Sequence, residues 1–158
     1  MDNMRKQDFT RRIAQSNRGQ LVVIMYEICF AYLEEAREAC QNNEEKAYRD
    51  SVRRADRVVA QLQDSLNFRY GLSEELYNLY DFCRRELMKA LYQRNEQCLM
   101  NVEKILRNLY TGFQQAAKQD QSEPLMHNTQ QVYAGMTYGK EHLNENLNDP
   151  GNSRGFFA

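Results

Sequence analysis

Residues 48–70 read YRDSVRRADRVVAQLQDSLNFRY. Tyr48, Val52, Ala55, Val59, Leu62, Leu66 and Tyr70 follow one another at spacings of four, three, four, three, four and four residues. That period lays every apolar side chain along one stripe of a helix. A half-buried strand would need strict alternation, and none is present.

The same period extends outward in both directions. Before it stand Leu21, Met25, Ile28, Tyr32, Ala36 and Ala39. After it come Leu76, Tyr80, Cys83, Leu87 and Leu91, then Leu99, Val102, Leu106, Leu109, Phe113 and Ala116. Four helices of roughly six turns follow. Their junctions are written in capping chemistry. Asn17-Arg18-Gly19-Gln20 is a capping box. Asn42-Asn43-Glu44-Glu45 ends one helix and opens the next with acids in its first turn. Tyr70-Gly71-Leu72-Ser73 is read as a C′ glycine followed by an N-cap serine, and Asn95 as the last N-cap. Links this short make successive helices antiparallel neighbours. The expected fold is all-α: an up-down-up-down four-helix bundle over residues 17–117. A short N-terminal segment, 1–16, precedes it and a long irregular C-terminal tail, 118–158, follows.

Composition agrees with this outline. The 158 residues are one domain's worth of chain, and 2 Pro with 7 Gly are too few for the turns of a β-sandwich. Lys and Arg number 21 against 22 Asp and Glu, which removes the electrostatic case for a nucleic-acid partner. With a mean hydropathy of −0.82 and no apolar run near ~18 residues, no membrane span is expected. Met1–Lys6 carries no apolar h-region, so no secretory signal is expected.

Catalytic chemistry finds no footing. Cys29, Cys40, Cys83 and Cys98 form no C-x-x-C pair and have no histidine beside them, so zinc spacing is absent; Cys29 and Cys83 read as reduced core residues. His127 and His142 lie in the tail, so no Glu-x-x-His pair can build a metal site in the bundle. Glu34-Glu35, Glu44-Glu45 and Glu74-Glu75 are adjacent, diverge on a helix and cannot share a site. Gly135 and Gly139 lack the Gly-Lys-Ser/Thr of a phosphate loop. Lys46, Arg49, Arg53, Arg54 and Arg57 read as a solvated, salt-bridged face. The expectation is a non-enzyme without metal or cofactor.

The apolar surface exceeds what one core stripe absorbs. Leu21–Tyr26 is an apolar run that goes round its helix, and Leu72, Tyr77, Leu79, Phe82 and Met88 spread over more than one face of theirs. Surplus of this kind forms a protein-binding groove or a self-pairing face, or else a wide core sector with scattered surface apolar residues. The candidate groove residues are Leu21, Ile24 and Ile28; Val58, Leu62 and Leu66; and Leu79, Tyr80, Phe82 and Leu87. Asp81 is a candidate for holding a junction through a charge-assisted bond.

Gln20–Glu27 (QLVVIMYE) resembles the QLIxMLYDG run that opens the first long helix of the flagellar secretion chaperone FliS family. Leu62–Asn67 looks like its L…SLD element, Leu76–Leu87 (LYNLYDFCRREL) like its NLxxLYDYMxRRL signature, and Val102–Leu106 like its EVxxLL. The resemblance covers about residues 17–117. It implies a cytoplasmic all-α chaperone that binds the disordered C-terminal segment of flagellin, blocks premature polymerisation and keeps the subunit competent for type III export. Departures are Asn17-Arg18 in place of Ser-Pro, Ile28 in place of Gly, and Phe113 in place of Trp; Phe9 is the candidate for the family's N-terminal aromatic, which covers the bundle. The rival reading is a self-associating structural or regulatory bundle without a flagellin client, so the expected state is monomer or homodimer.

The tail carries its own pattern in Val132, Tyr133, Met136 and Tyr138, with Leu143 and Leu147 four apart. These residues are expected to dock on the bundle's groove and compete with flagellin. Contact with an export-gate component is a second reading of the tail, and a disordered tail with incidental apolar residues is a third.

Overall fold

The computed structural model describes residues 1–126. Five helices run through them: α1 Asn3–Ala14, α2 Arg18–Gln41, α3 Glu45–Asp64, α4 Leu72–Gln93 and α5 Glu96–Gln119, with no strand among the described residues. The chain is therefore all-helical, but it has one helix more than the periodicity promised. The N-terminal segment, expected to be a short extension, is α1. Asp2 starts it by accepting the Arg5 amide proton at 2.7 Å, and Arg11 and Arg12 sit in its last turn, where the helix dipole favours cations.

The capping box at α2 is complete. Asn17 Oδ1 accepts from the Gln20 amide at 2.9 Å, and Gln20 Oε1 accepts from the Asn17 amide at 3.0 Å. At the other end of α2, Asn43 enters the left-handed region at φ 58°. Its amide bonds Cys40 O and that of Glu44 bonds Ala39 O at 2.8 Å, the paired bonds of a Schellman ending. Asn95 caps α5 by accepting from the Gln97 amide at 2.9 Å.

The α3–α4 junction departs from the reading of Tyr70–Ser73. The helix stops at Asp64, so Leu66 and Tyr70 lie beyond it. Side chains compete for the backbone there: Ser65 Oγ donates to Leu62 O, and Asn67 Oδ1 accepts from the Arg69 amide. Gly71 is the N-cap position of α4 in an ordinary helical conformation, not a left-handed C′ glycine. Ser73 is inside α4, its hydroxyl donating to Asn67 O at 2.6 Å instead of capping.

Helix α2 packs on α3 and α5, and α4 packs on the same two, so the four long helices enclose one core. Its centre is unusually tyrosine-rich. Tyr26, Tyr48 and Tyr80 are all buried, and each hydroxyl has a partner: Tyr26 and Tyr80 share a bond at 2.5 Å, and Tyr48 donates to Ala90 O at 2.7 Å. Cys29 and Cys83 are buried free thiols, as the apolar helical pattern around them implied. Burial pushes the Cys83 thiol up to about 12 and raises Cys29 as well, so both stay protonated and inert.

After α5 the chain turns back across the start of α2. Asn17 Nδ2 donates to the carbonyls of Asp120 and Ser122, each at 3.3 Å. The Gly19 amide donates to Asp120 Oδ2 at 3.3 Å, and the Leu125 amide to Ser16 O at 3.0 Å. A Cβ on Gly19 would stand 2.9 Å from that carboxylate oxygen and 3.3 Å from Ala117 Cα, so glycine permits the approach. The boundary expected at residue 117 is thus corrected: α5 runs to Gln119, and residues 120–125 belong to the helical unit. No helix among the described residues is long and apolar enough to cross a membrane.

Candidate protein-binding surface

Helix α1 lies on the outside of α2. Phe9, 8% exposed, packs with Ile24 and Ala31, and Met1, Ile13 and Ile28 close the cluster. This patch adjoins the main core through Ile28, which packs against both. It is bordered by ion pairs, Arg5 to Glu34 at 3.1 Å and Arg12 to Glu27 at 2.6 Å, while the Arg12 guanidinium also stands 5.7 Å from the Phe9 ring centre. Such exposed pairs contribute at most about 1 kcal/mol each. Phe9 is the only buried residue of α1, whereas α2 buries eight. Helix α1 is therefore the least firmly held of the five, the element that opens first.

Beside it, α1, α2 and α5 border a cleft of about 570 Å³. Its walls carry Arg5, Arg12, Arg37 and Arg107 against Asp8, Glu27, Glu34 and Glu103, with Phe9, Phe30 and Tyr110 between them. Glu103 is the hub. It accepts from Arg107 Nε at 2.8 Å and also meets Arg37. Burial alone would raise its carboxyl, but the Arg107 bond and the two guanidinium charges outweigh that and hold it below the ordinary value. Tyr110 donates to Glu27 Oε1 at 3.1 Å, and burial, followed by the Glu27 charge, raises its phenol. Arg107 lies 4.7 Å above the Phe30 ring centre.

The ten candidate groove residues do not form one surface. Ile24 and Ile28 come together under α1. Leu21 is half-buried. Val58 at 8% and the half-buried Leu66 pack on the main core. Leu62, Tyr80 and Leu87, at 1%, 1% and 0% exposure, lie inside it and present no groove wall. All three fall on the apolar stripes that the helical period marks as core, and the structure buries them there. Leu79 and Phe82, 36% and 37% exposed, stand on the outer side of α4. Asp81 holds no junction; it pairs with Arg85 one turn on, at 3.3 Å. The tail residues Val132, Tyr133, Met136, Tyr138, Leu143 and Leu147 fall outside the described residues.

Several residues of the surface escaped the sequence reading. Ala31, fully buried beneath α1, carries no signal of its own. Helix α1 did carry one, in Phe9 and Ile13 four residues apart behind an Asp cap. Among the described residues there is no group of three or more His, Cys, Asp or Glu that could hold a metal ion.

Fold and surface together define a class: a small all-helical module, with apolar surplus outside a filled core and a light helix of its own laid over part of that surplus. The pattern of the flagellar protein FliS family matches residues 1–120, and the chain belongs to that family. It is similar to the flagellar secretion chaperone FliS of Bacillus subtilis (strain 168), at 22% identity over 105 residues, covering 66% of this chain and 79% of the relative.

Proposed function

We propose that this protein is a cytoplasmic flagellar export chaperone that holds the disordered C-terminal segment of flagellin until secretion. In this reading α2–α5 run up-down-up-down as an antiparallel bundle, and the client segment takes the place of α1 over Ile24, Ile28 and Ala31. The observation that carries it is this apolar patch, roofed by a helix with one buried side chain. The family and the name of the Bacillus relative support a role as a flagellar secretion chaperone. Leu79 and Phe82 offer the client further anchors on α4.

Energetics fit a releasable complex. Each large apolar side chain that the client buries contributes about 1.5–3 kcal/mol. Ordering the segment offsets roughly 2–5 kcal/mol of the total.

The test is titration calorimetry of the full chain with a peptide of about forty residues from the flagellin C-terminus, where coupled folding gives a large negative enthalpy and heat-capacity change. One-to-one binding that tightens in Phe9→Ala supports the reading. Absence of binding in both proteins sinks it, and a stable dimer under the same conditions points to the self-associating alternative.

A further inference from the structure

The turn between α3 and α4 is built for display. Phe68, Tyr70, Leu72 and Tyr77 are 60%, 69%, 60% and 44% exposed within ten residues of sequence. The Phe68 and Tyr77 ring centres stand 6.0 Å apart, with the ring planes tilted by 57°. A Cβ at Gly71 would meet no atom within 4 Å, so this face is open. None of these side chains holds the turn in place. That task falls to Asn67, whose carbonyl accepts the Tyr70 amide at 3.1 Å and the Ser73 hydroxyl at 2.6 Å, with Ser73 buried at 5% exposure. A tied backbone with its aromatics turned outward is preorganised for contact, which reduces the ordering cost of binding.

The charge around the patch selects its occupant. Within residues 64–77 the exposed charges are Asp64, Glu74 and Glu75 against Arg69. A second copy of the chain would set these acids against themselves across a two-fold axis. Residues 127–158 carry Glu141, Glu145 and Asp149 against Lys140 and Arg154, an acidic excess of the same sign. Exposed aromatic faces and carboxylates together favour a cation on an apolar stem, and arginine supplies both.

We propose that this turn is a docking surface, distinct from the patch under α1, for an arginine-bearing apolar segment of another protein. The probe is an amphipathic peptide of about fourteen residues with Leu at i, i+3, i+4 and i+7 and Arg between them. Its twin carries Gln in place of Arg. Amide shifts of the full chain are followed by NMR. The expected result is perturbation confined to residues near 64–79, with affinity about tenfold above the Gln twin and lost in a Phe68→Ser/Tyr77→Ser variant. The helical circular dichroism of that variant checks its fold. Equal affinity for the two peptides overturns the proposal. So does concentration-dependent self-association abolished by the variant, which would assign the patch to a second copy. So does a gain of tenfold or more on removing 127–158, which would assign it to the chain's own C-terminal segment. Perturbation centred on Ile24 and Ile28 instead also overturns it.

Discussion

Asn17 reaches across to Asp120, its side-chain amide donating to the backbone carbonyl at 3.3 Å while its carbonyl oxygen caps α2. One buried side chain thus starts a helix and ties down the end of another, more than a hundred residues away in sequence. A serine at this position would keep the cap and lose both donors. Asn17→Ser is expected to cost about 1 kcal/mol in urea unfolding, and Asn17→Ala about 2 kcal/mol.

The same clasp makes two truncations differ. A chain ending at Met126 retains the bonds of Asp120, Ser122 and Leu125 to the start of α2, and one ending at Gln119 loses them. The shorter chain is expected to be less stable than the longer by about 1–3 kcal/mol. Client affinities compared between these two chains separate the effect of the clasp from that of residues beyond 126.

The Tyr26–Tyr80 pair predicts a non-additive cycle. Tyr80→Phe leaves the buried Tyr26 hydroxyl without its partner, at a cost of about 1–3 kcal/mol. Replacing both by Phe removes donor and acceptor together. The double variant is expected to be no less stable than either single one, a coupling readable from denaturant midpoints.

Acid should loosen the module through two carboxylates. Glu86 is held below its ordinary 4.5 by the hydrogen bond from Lys89 and then that from Asn101, and Glu103 is also depressed, as described above. Their folded values lie below their unfolded ones. Their stabilisation is therefore fully present above about pH 4.5 and is lost as pH falls through the folded values. Between pH 6 and 3, Glu86→Gln and Glu103→Gln are expected to show a shallower fall in urea midpoint than the parent.

Helix α1 should exchange its amide hydrogens faster than α2–α5, since Phe9 alone is buried in it. Phe9→Ala is expected to remove that residual protection while leaving the protection of α3 and α4 unchanged, in hydrogen-exchange mass spectrometry.

By itself the sequence determined four of the five helices and most of the ends of those four. Period and capping are local: Asn17 and Gln20, or Asn95 and Gln97, are neighbours along the chain, and the stripe from Tyr48 to Leu62 needs no partner to be read. The interior cysteines were legible for the same reason. Only the tertiary structure decided which surplus apolar residues stay outside. Ile24 and Leu79 both lie off the stripes read for their helices, yet one is buried beneath α1 and the other is part in solvent. That difference is set by the helix that crosses above Ile24. The third junction failed as a local reading because Ser65 and Asn67 bond their own backbone and end α3 early. The roof over Ile24 and the clasp on Asn17 are contacts between distant segments, which no period along a single segment can express.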